Sequence, residues 1–195
     1  MIYWLAYGLL RLLDLFFFRA EVIGRENIPP QRSYIIASNH ISYLDPFLLG
    51  LCSVRHFYFL AKESLFKTKI SNFFFRSIGA FPVKRDTSDF GAMREALRRI
   101  KSGNPLVLFP EGTRGYSSRA KKPHPGIGFL AAKAGVPVVP VYISGSDKVL
   151  PEGAKRLYRH PIKIMIGQPV TFPSHMSYED MADHIVQKIY SLSKR

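Results

Sequence analysis

The 195-residue chain is predicted to form one α/β domain, an αβα layered fold with a central, mostly parallel sheet. Three observations predict this. Hydrophobic residues make up 47% of the chain, enough for one sizeable core and too many for a disordered polymer. Short apolar runs alternate with amphipathic stretches, the pattern of strand–helix–strand units. Several of those runs are apolar at nearly every position, as in strands buried on both faces.

Taken in order, the first element is Met1 to Phe18, MIYWLAYGLLRLLDLFFF, a helix of about 27 Å. Tyr3, Tyr7, Arg11 and Asp14 fall at helical spacing and make one polar stripe on an otherwise apolar surface. A helix of this kind suits the membrane interface, with Trp4 and the tyrosines at headgroup level. Packing on its own domain is the alternative. No basic leader or small-residue cleavage site accompanies it, so a removable signal peptide is not expected. The expected organisation is a membrane-associated helix over residues 1–20 and a main domain over 21–195.

Strands are predicted at Tyr34–Ser38, His56–Ala61, Ala80–Val83, Pro105–Phe109, Val136–Tyr142 and Ile162–Ile166. Helices fall between them. Pro46 to Leu51 follows Asp45, a residue suited to the N-cap, with proline at the first helical position. Phe90 to Lys101 carries Met93, Leu97 and Ile100 on one face and stops before Gly103. Gly126 to Ala134 is short and ends at Gly135. The last helix opens on Ser177 and Asp180 and carries Met181, Ile185, Ile189 and Leu192 as its apolar stripe. From Leu60 to Phe81, phenylalanines interleave with Lys62, Lys67, Lys69 and Arg76. That mixture suits a membrane interface, a nucleic-acid platform, or a core helix with a solvated basic face.

Charge narrows the partners. Lys and Arg number 28 against 14 Asp and Glu, a net charge of +14, which favours polyanions: nucleic acid, an anionic membrane or phosphorylated substrates. The single cysteine, Cys52, excludes an internal disulfide, and no zinc-ligand spacing is present.

Four segments carry candidate chemistry. Asn39-His40-Ile41-Ser42-Tyr43-Leu44-Asp45 follows a buried strand and precedes a helix. Histidine is the side chain best suited to take a proton near neutral pH, and a carboxylate on its other nitrogen would fix the tautomer. Five residues on a continuous helix would place the two about 140° apart, so they meet only if the segment turns first. Otherwise Asp45 is only a cap and His40 a loop residue. Gly79 to Arg85 puts Lys84 and Arg85 at a strand end, where Arg85 could grip a phosphate in a bidentate fork. Phe109-Pro110-Glu111-Gly112-Thr113-Arg114 follows another apolar strand. Arg114 offers a second fork, Glu111 an acceptor for a polyol hydroxyl, and Gly112 a close backbone approach. Alone, Glu111 and Arg114 could be a surface ion pair. Val136-Pro137-Val138-Val139-Pro140-Val141 suggests a rigid wall or a sheet edge, because prolines rarely occupy central strands.

In this order the four segments resemble the glycerolipid acyltransferase family, the group that includes bacterial 1-acylglycerol-3-phosphate acyltransferase. The resemblance runs from about Ser38 to Ser144. Asn39-His40 with Asp45 is similar to the family's NHxxxxD, Gly79 to Arg85 to its phosphate-binding motif, Phe109 to Arg114 to its FPEGTR, and Val136 to Pro140 to its fourth, proline-containing motif. The resemblance implies a glycerol-3-phosphate acyltransferase-like fold and makes residues 21–195 an acyltransferase domain. It implies His40 as catalytic base and Asp45 as its orienting partner. Arg85 and Arg114 would bind the acceptor phosphate, and Glu111, Gly112 and Thr113 would line the acceptor site. The donor would be acyl-CoA or acyl-carrier protein and the acceptor a lysophosphatidate, giving phosphatidic acid. No metal, no cofactor and no acyl-enzyme is implied, which leaves Cys52 a structural role. Lys121-Lys122-Pro123-His124-Pro125 departs from many relatives, which place a lysine nearer the following glycine.

The expected location is peripheral or monotopic on the cytoplasmic face of the cell membrane, among anionic lipids and without nucleic acid. Glycerol-3-phosphate or another lysolipid is the alternative acceptor. A non-catalytic basic protein that binds membranes or nucleic acid is the rival of a different class, though such a surface needs neither the His40–Asp45 pair nor an ordered Glu111–Arg114 loop.

Overall fold

The computed structural model describes residues 2–30, 33–52, 55–84, 89–115 and 122–194. Its strands are β1 (Glu21–Ile23), β2 (Ile35–Ser38), β3 (Tyr58–Lys62), β4 (Ala80–Val83), β5 (Leu106–Leu108), β6 (Val138–Ser144) and β7 (Lys163–Ile166). Its helices are α1 (Ile2–Leu13), α2 (Asp45–Leu48), α3 (Lys69–Ser77), α4 (Phe90–Lys101), α5 (Gly126–Ala134), α6 (Ser146–Val149) and α7 (Tyr178–Ser191). The strands form one sheet in the order β1-β7-β6-β2-β5-β3-β4. Neighbours run parallel except β6 and β7, which are antiparallel.

Six strands lie where the apolar runs predict them. The seventh, β1, is a correction. It has three residues, only the middle one turned partly inward, and pairs with β7 alone. A segment so short has no periodicity to read. The four-residue α6 escapes prediction for the same reason.

Alternation along β2 divides the core into two layers. Tyr34 and Ile36 face one cluster with Leu48, Leu49 and Leu51, against which Ile2, Ala6, Leu10 and Leu13 of α1 pack. Ile35 and Ala37 face the other, with Ala96 and Ile100 of α4, Leu130 of α5, and Ile185 and Ile189 of α7. Ser177 caps α7 as predicted, its hydroxyl accepting from Asp180 N at 3.0 Å.

The proline-containing strand is not a sheet edge. β6 lies between β2 and β7, with Pro140 opposite Ala37. The fold tolerates this because a residue's N–H and C=O point to the same side of a strand. The carbonyl of Pro140 faces the β7 side, where it accepts from Gly167 N at 2.8 Å. The donor that proline lacks would point there too, where the β6–β7 ladder ends, so the β2 side loses nothing.

The N-terminal helix also departs from expectation. It is α-helical to Leu13 and then widens into a π turn over Asp14–Phe18. Its polar residues make hydrogen bonds to one another and to the rest of the chain. Tyr3 OH donates to Arg55 O (3.1 Å), Arg11 donates to Tyr7 OH (2.8 and 3.0 Å), and Asp14 Oδ1 accepts from Ala20 N (2.7 Å). What faces outward is apolar: Trp4, Leu5, Leu9, Leu12, Leu15 and Phe16, with Leu5 67% exposed. α3 packs beside α1 and behaves alike. It buries none of its residues fully, exposes Ile70, Phe73 and Phe74, and flanks them with exposed Lys67, Lys69 and Arg76. Its other side meets the domain through Phe75, which with Phe66 packs against the core beside buried Ile78, so the stretch has one face on the core and one apolar, basic-flanked face outward. Among the described residues, no helix is long and apolar enough to cross a membrane.

Candidate active site

β2 ends at Ser38, and the Asn39 side chain continues its ladder. Nδ2 donates to Ile143 O (2.8 Å) while Oδ1 accepts from Ile143 N (2.7 Å), which clamps the ends of β2 and β6 together. Beyond the clamp, residues 40–44 make a tight turn before α2 begins at Asp45. The turn brings His40 and Asp45 face to face, with Nδ1 2.9 Å from Oδ2.

Asp45 is not a helix cap, because the amides it binds precede it. Oδ2 accepts from Ile41 N (2.7 Å) and Ser42 N (2.8 Å) as well as from the imidazole. Oδ1 accepts from the hydroxyl of Ser146 (2.6 Å). The carboxylate is fully buried and is met by donors on both oxygens. An ionised carboxylate has no proton to give, so His40 Nδ1 carries the hydrogen and Nε2 holds the free lone pair. His40 is 7% exposed, and its ring stacks on Phe109 with centroids 4.0 Å apart.

The segment after β5 closes over this pair. Gly115 N donates to His40 O (3.0 Å), tying the two motifs through their backbones. Gly112 has φ +68°, and a Cβ there would come within 2.9 Å of His124, so the glycine makes room for that ring. His124 N donates to Pro110 O (2.8 Å), which makes His124 a packing partner of the loop. Glu111 is buried and accepts a hydrogen bond from Tyr190 OH of α7. Thr113 is exposed at the loop tip. The Arg114 guanidinium lies over the ring of Tyr43, 3.2 Å from its centroid, beside the His40–Asp45 turn.

His40, Asp45, Glu111, Gly112, Thr113 and Arg114 thus gather beyond the C-terminal ends of the neighbouring inner strands β2 and β5. Arg85 lies outside the described residues. β4 runs parallel to β2 and β5 and ends on the same side of the sheet, and Asp89 ties both flanks of the 85–88 segment, accepting from Lys84 N and Ala92 N (each 2.9 Å). Those bonds hold its carboxyl below the usual carboxylate range. Sequence reasoning missed Ser146, Tyr190 and Tyr43. Ser146 follows the proline strand in a Ser-Gly-Ser that reads only as a turn, and Tyr190 sits beside an apolar stripe that hides it.

Cys52 is buried, and burial pushes its thiol up to about 12. It is a packing residue and no nucleophile at neutral pH.

A histidine held by a buried carboxylate, with an arginine-bearing loop against it, suits proton transfer beside an anion. The family model described as Acyltransferase matches residues 19–144, most of the chain and all of this cluster except Ser146 and Tyr190. The chain belongs to the acyltransferase family. A 1-acyl-sn-glycerol-3-phosphate acyltransferase of *Bacillus subtilis* is similar to this acyltransferase-family chain at 27% identity, over 90% of this chain and 88% of that protein. The chloroplastic enzyme BAT2 of *Brassica napus* is 30% identical over 79% of this chain and 46% of its own length. The chain spans about half the length of the plant and algal relatives it matches. The crystal structure of the 1-acyl-sn-glycerophosphate acyltransferase PlsC from *Thermotoga maritima* superposes with a TM-score of 0.75 at 30% identity, over 100% of this chain and 79% of that one. The mostly parallel α/β fold is shared with that structure.

Proposed function

We propose that the protein transfers a fatty acyl group from acyl-CoA or acyl-carrier protein to the free hydroxyl of 1-acylglycerol-3-phosphate, giving phosphatidic acid for phospholipid synthesis. One observation carries the reading: Nδ1 of His40 is bound to buried Asp45, which leaves Nε2 as a base with a fixed tautomer. The names of the *Bacillus* and *Brassica* relatives support it.

His40 Nε2 takes the proton of the acceptor hydroxyl as the oxygen attacks the thioester carbonyl. The carbon–sulfur bond breaks, and the imidazolium returns the proton to the leaving thiolate. Asp45 stabilises the imidazolium between those steps. Arg85 and Arg114 bind the acceptor phosphate, and Glu111, Gly112 and Thr113 shape the acceptor site. Tyr190 gives Glu111 a fixed orientation for that task. The reaction uses no metal and no cofactor, and its partners are the acyl donor, the lysophosphatidate and anionic lipid.

Residues 1–20 act as a membrane-associated helix, with α3 beside it, and residues 21–195 as the acyltransferase domain. The outward apolar faces and flanking cations support a peripheral or monotopic position on the cytoplasmic face of the cell membrane.

The test is thiol release from acyl-CoA with and without lysophosphatidate, with the lipid product separated by chromatography. General-base catalysis contributes about 10²- to 10⁴-fold, so His40→Ala should lose at least about 99% of the rate with its folding intact. A variant that keeps more than about a tenth of the rate overturns the reading.

A further inference from the structure

Ser146 stands 101 residues from Asp45 in sequence, yet its hydroxyl is the donor at Asp45 Oδ1. We infer that Ser146 is a positioning residue that sets the plane of the Asp45 carboxylate and, through it, the orientation of His40. The inference rests on His40 being the base.

The geometry gives the reason. Oδ2 is held by three donors: His40 Nδ1, Ile41 N and Ser42 N. All three bonds fall on one oxygen. Ser146 supplies the donor at the other, so it opposes rotation of the carboxylate about its Cβ–Cγ bond and helps hold the plane in which the imidazole N–H lies. The bond is short, charge-assisted and wholly buried, with both residues at 0% exposure, so bulk water does not compete for it.

The local chain is built to deliver that hydroxyl. Asn39 clamps Ile143 three residues earlier, and Gly145 turns the backbone at φ +87° just before Ser146. A Cβ at Gly145 would come within 2.4 Å of Pro161 O, so only glycine fits the turn. Ser42 Oγ also donates to Leu150 O (3.3 Å), so the segment that carries Ser146 is held at its far end by the dyad's own turn. The segment after β6 thus joins the site through Asp45.

Steady-state kinetics with acyl-CoA and lysophosphatidate test this. Ser146→Ala should lower kcat roughly 10- to 100-fold, the scale of a small misplacement of a reacting group, and leave both KM values within about twofold. The same substitution in an Asp45→Asn background should change the residual rate by less than about threefold, because the route through Asp45 is already cut. Ser146→Thr, which keeps the hydroxyl, should recover most of kcat. If Ser146→Ala does not fold, Ser146→Cys takes its place, and the weaker S–H donor should give an intermediate kcat. A kcat within about twofold of the parent for the variant that folds, or an equal loss in both backgrounds, overturns the inference while His40→Ala remains inactive. An active His40→Ala overturns it together with the proposed function.

Discussion

The carboxylate of Asp45 and the side chain of Leu9 both stand on the side of the surface where their chemistry is least welcome. Asp45 is an ion with no exposure, and Leu9 is an alkyl group 58% exposed. Around Asp45 the difficulty is answered from within, by two amides, a hydroxyl and an imidazole. Around Leu9 nothing in the described chain answers it, and the neighbouring outward residues of α1 are apolar as well. A buried ion met by converging donors marks a site organised for chemistry. An apolar face left open marks a surface whose proper solvent is not water. The two regions also differ in the origin of their parts. The site joins residues from four separated segments, whereas the open face is carried by two short helices.

Arg114 gives the sharpest test of the polar region, because it lies at the rim against exposed Tyr43 and not in the buried network. A charge-assisted hydrogen bond to phosphate contributes about 1.5–3 kcal/mol. Arg114→Ala should therefore raise KM for lysophosphatidate roughly 10- to 100-fold and leave KM for the acyl donor unchanged. Monoacylglycerol, which has no phosphate, should react equally poorly with the variant and its parent. A matching rise in KM for the donor would remove Arg114 from the acceptor site.

The apolar region is tested by charge. Met1 to Phe18 cannot simply be deleted, because Phe18 is fully buried and the inner residues of α1 pack against the core. Leu9→Glu with Phe73→Glu changes only outward positions, exposed at 58% and 64%. Each removes a side chain whose transfer from water is worth about 1.5–3 kcal/mol. Binding to vesicles containing phosphatidylglycerol should fall at least about tenfold, with Tm within about 2 °C of the parent. Undiminished sedimentation with vesicles would show that the membrane contacts some other face.

Much of this was legible in the sequence for definite reasons. Strands such as Ile35–Ser38 and Val138–Ser144 are buried on both faces, so their composition alone announces them. An apolar stripe with a stop before Gly103 bounded α4, and Gly135 closed α5. The pairing of His40 with Asp45 was legible only as a condition, that the chain turn before the helix, and the turn over residues 40–44 meets it. Other features depend on facts that no local pattern holds. Whether a proline disturbs a central strand depends on which side its missing donor faces, as at Pro140. Whether Tyr3, Arg11 and Asp14 face lipid or protein depends on partners such as Arg55 and Ala20. Ser146 and Tyr190 join the site only because β6 lies beside β2 and α7 packs behind the Glu111 loop.

The smallest expected effect lies where the two regions are joined. The His56 ring sits between Tyr3 of α1, with centroids 4.0 Å apart, and Tyr58 of β3, at 4.7 Å. Burial lowers its pKa from the ordinary 6.5, and the charge of Arg99 adds in the same direction. The unfolded chain therefore takes up this proton first as pH falls. The stability associated with the neutral ring is whole above about pH 6.5 and is lost as pH drops through the lower folded-state value. One group can change the slope by at most about 1.4 kcal/mol per pH unit. His56→Phe keeps an aromatic ring between the two tyrosines and removes the titration. Its Tm should fall less than the parent's between pH 7 and pH 5, and the two should run parallel above pH 7. Parallel curves over the whole range would mean that His56 titrates alike in the folded and unfolded chain, and that the contact between α1 and the sheet has no acid-sensitive element at this position.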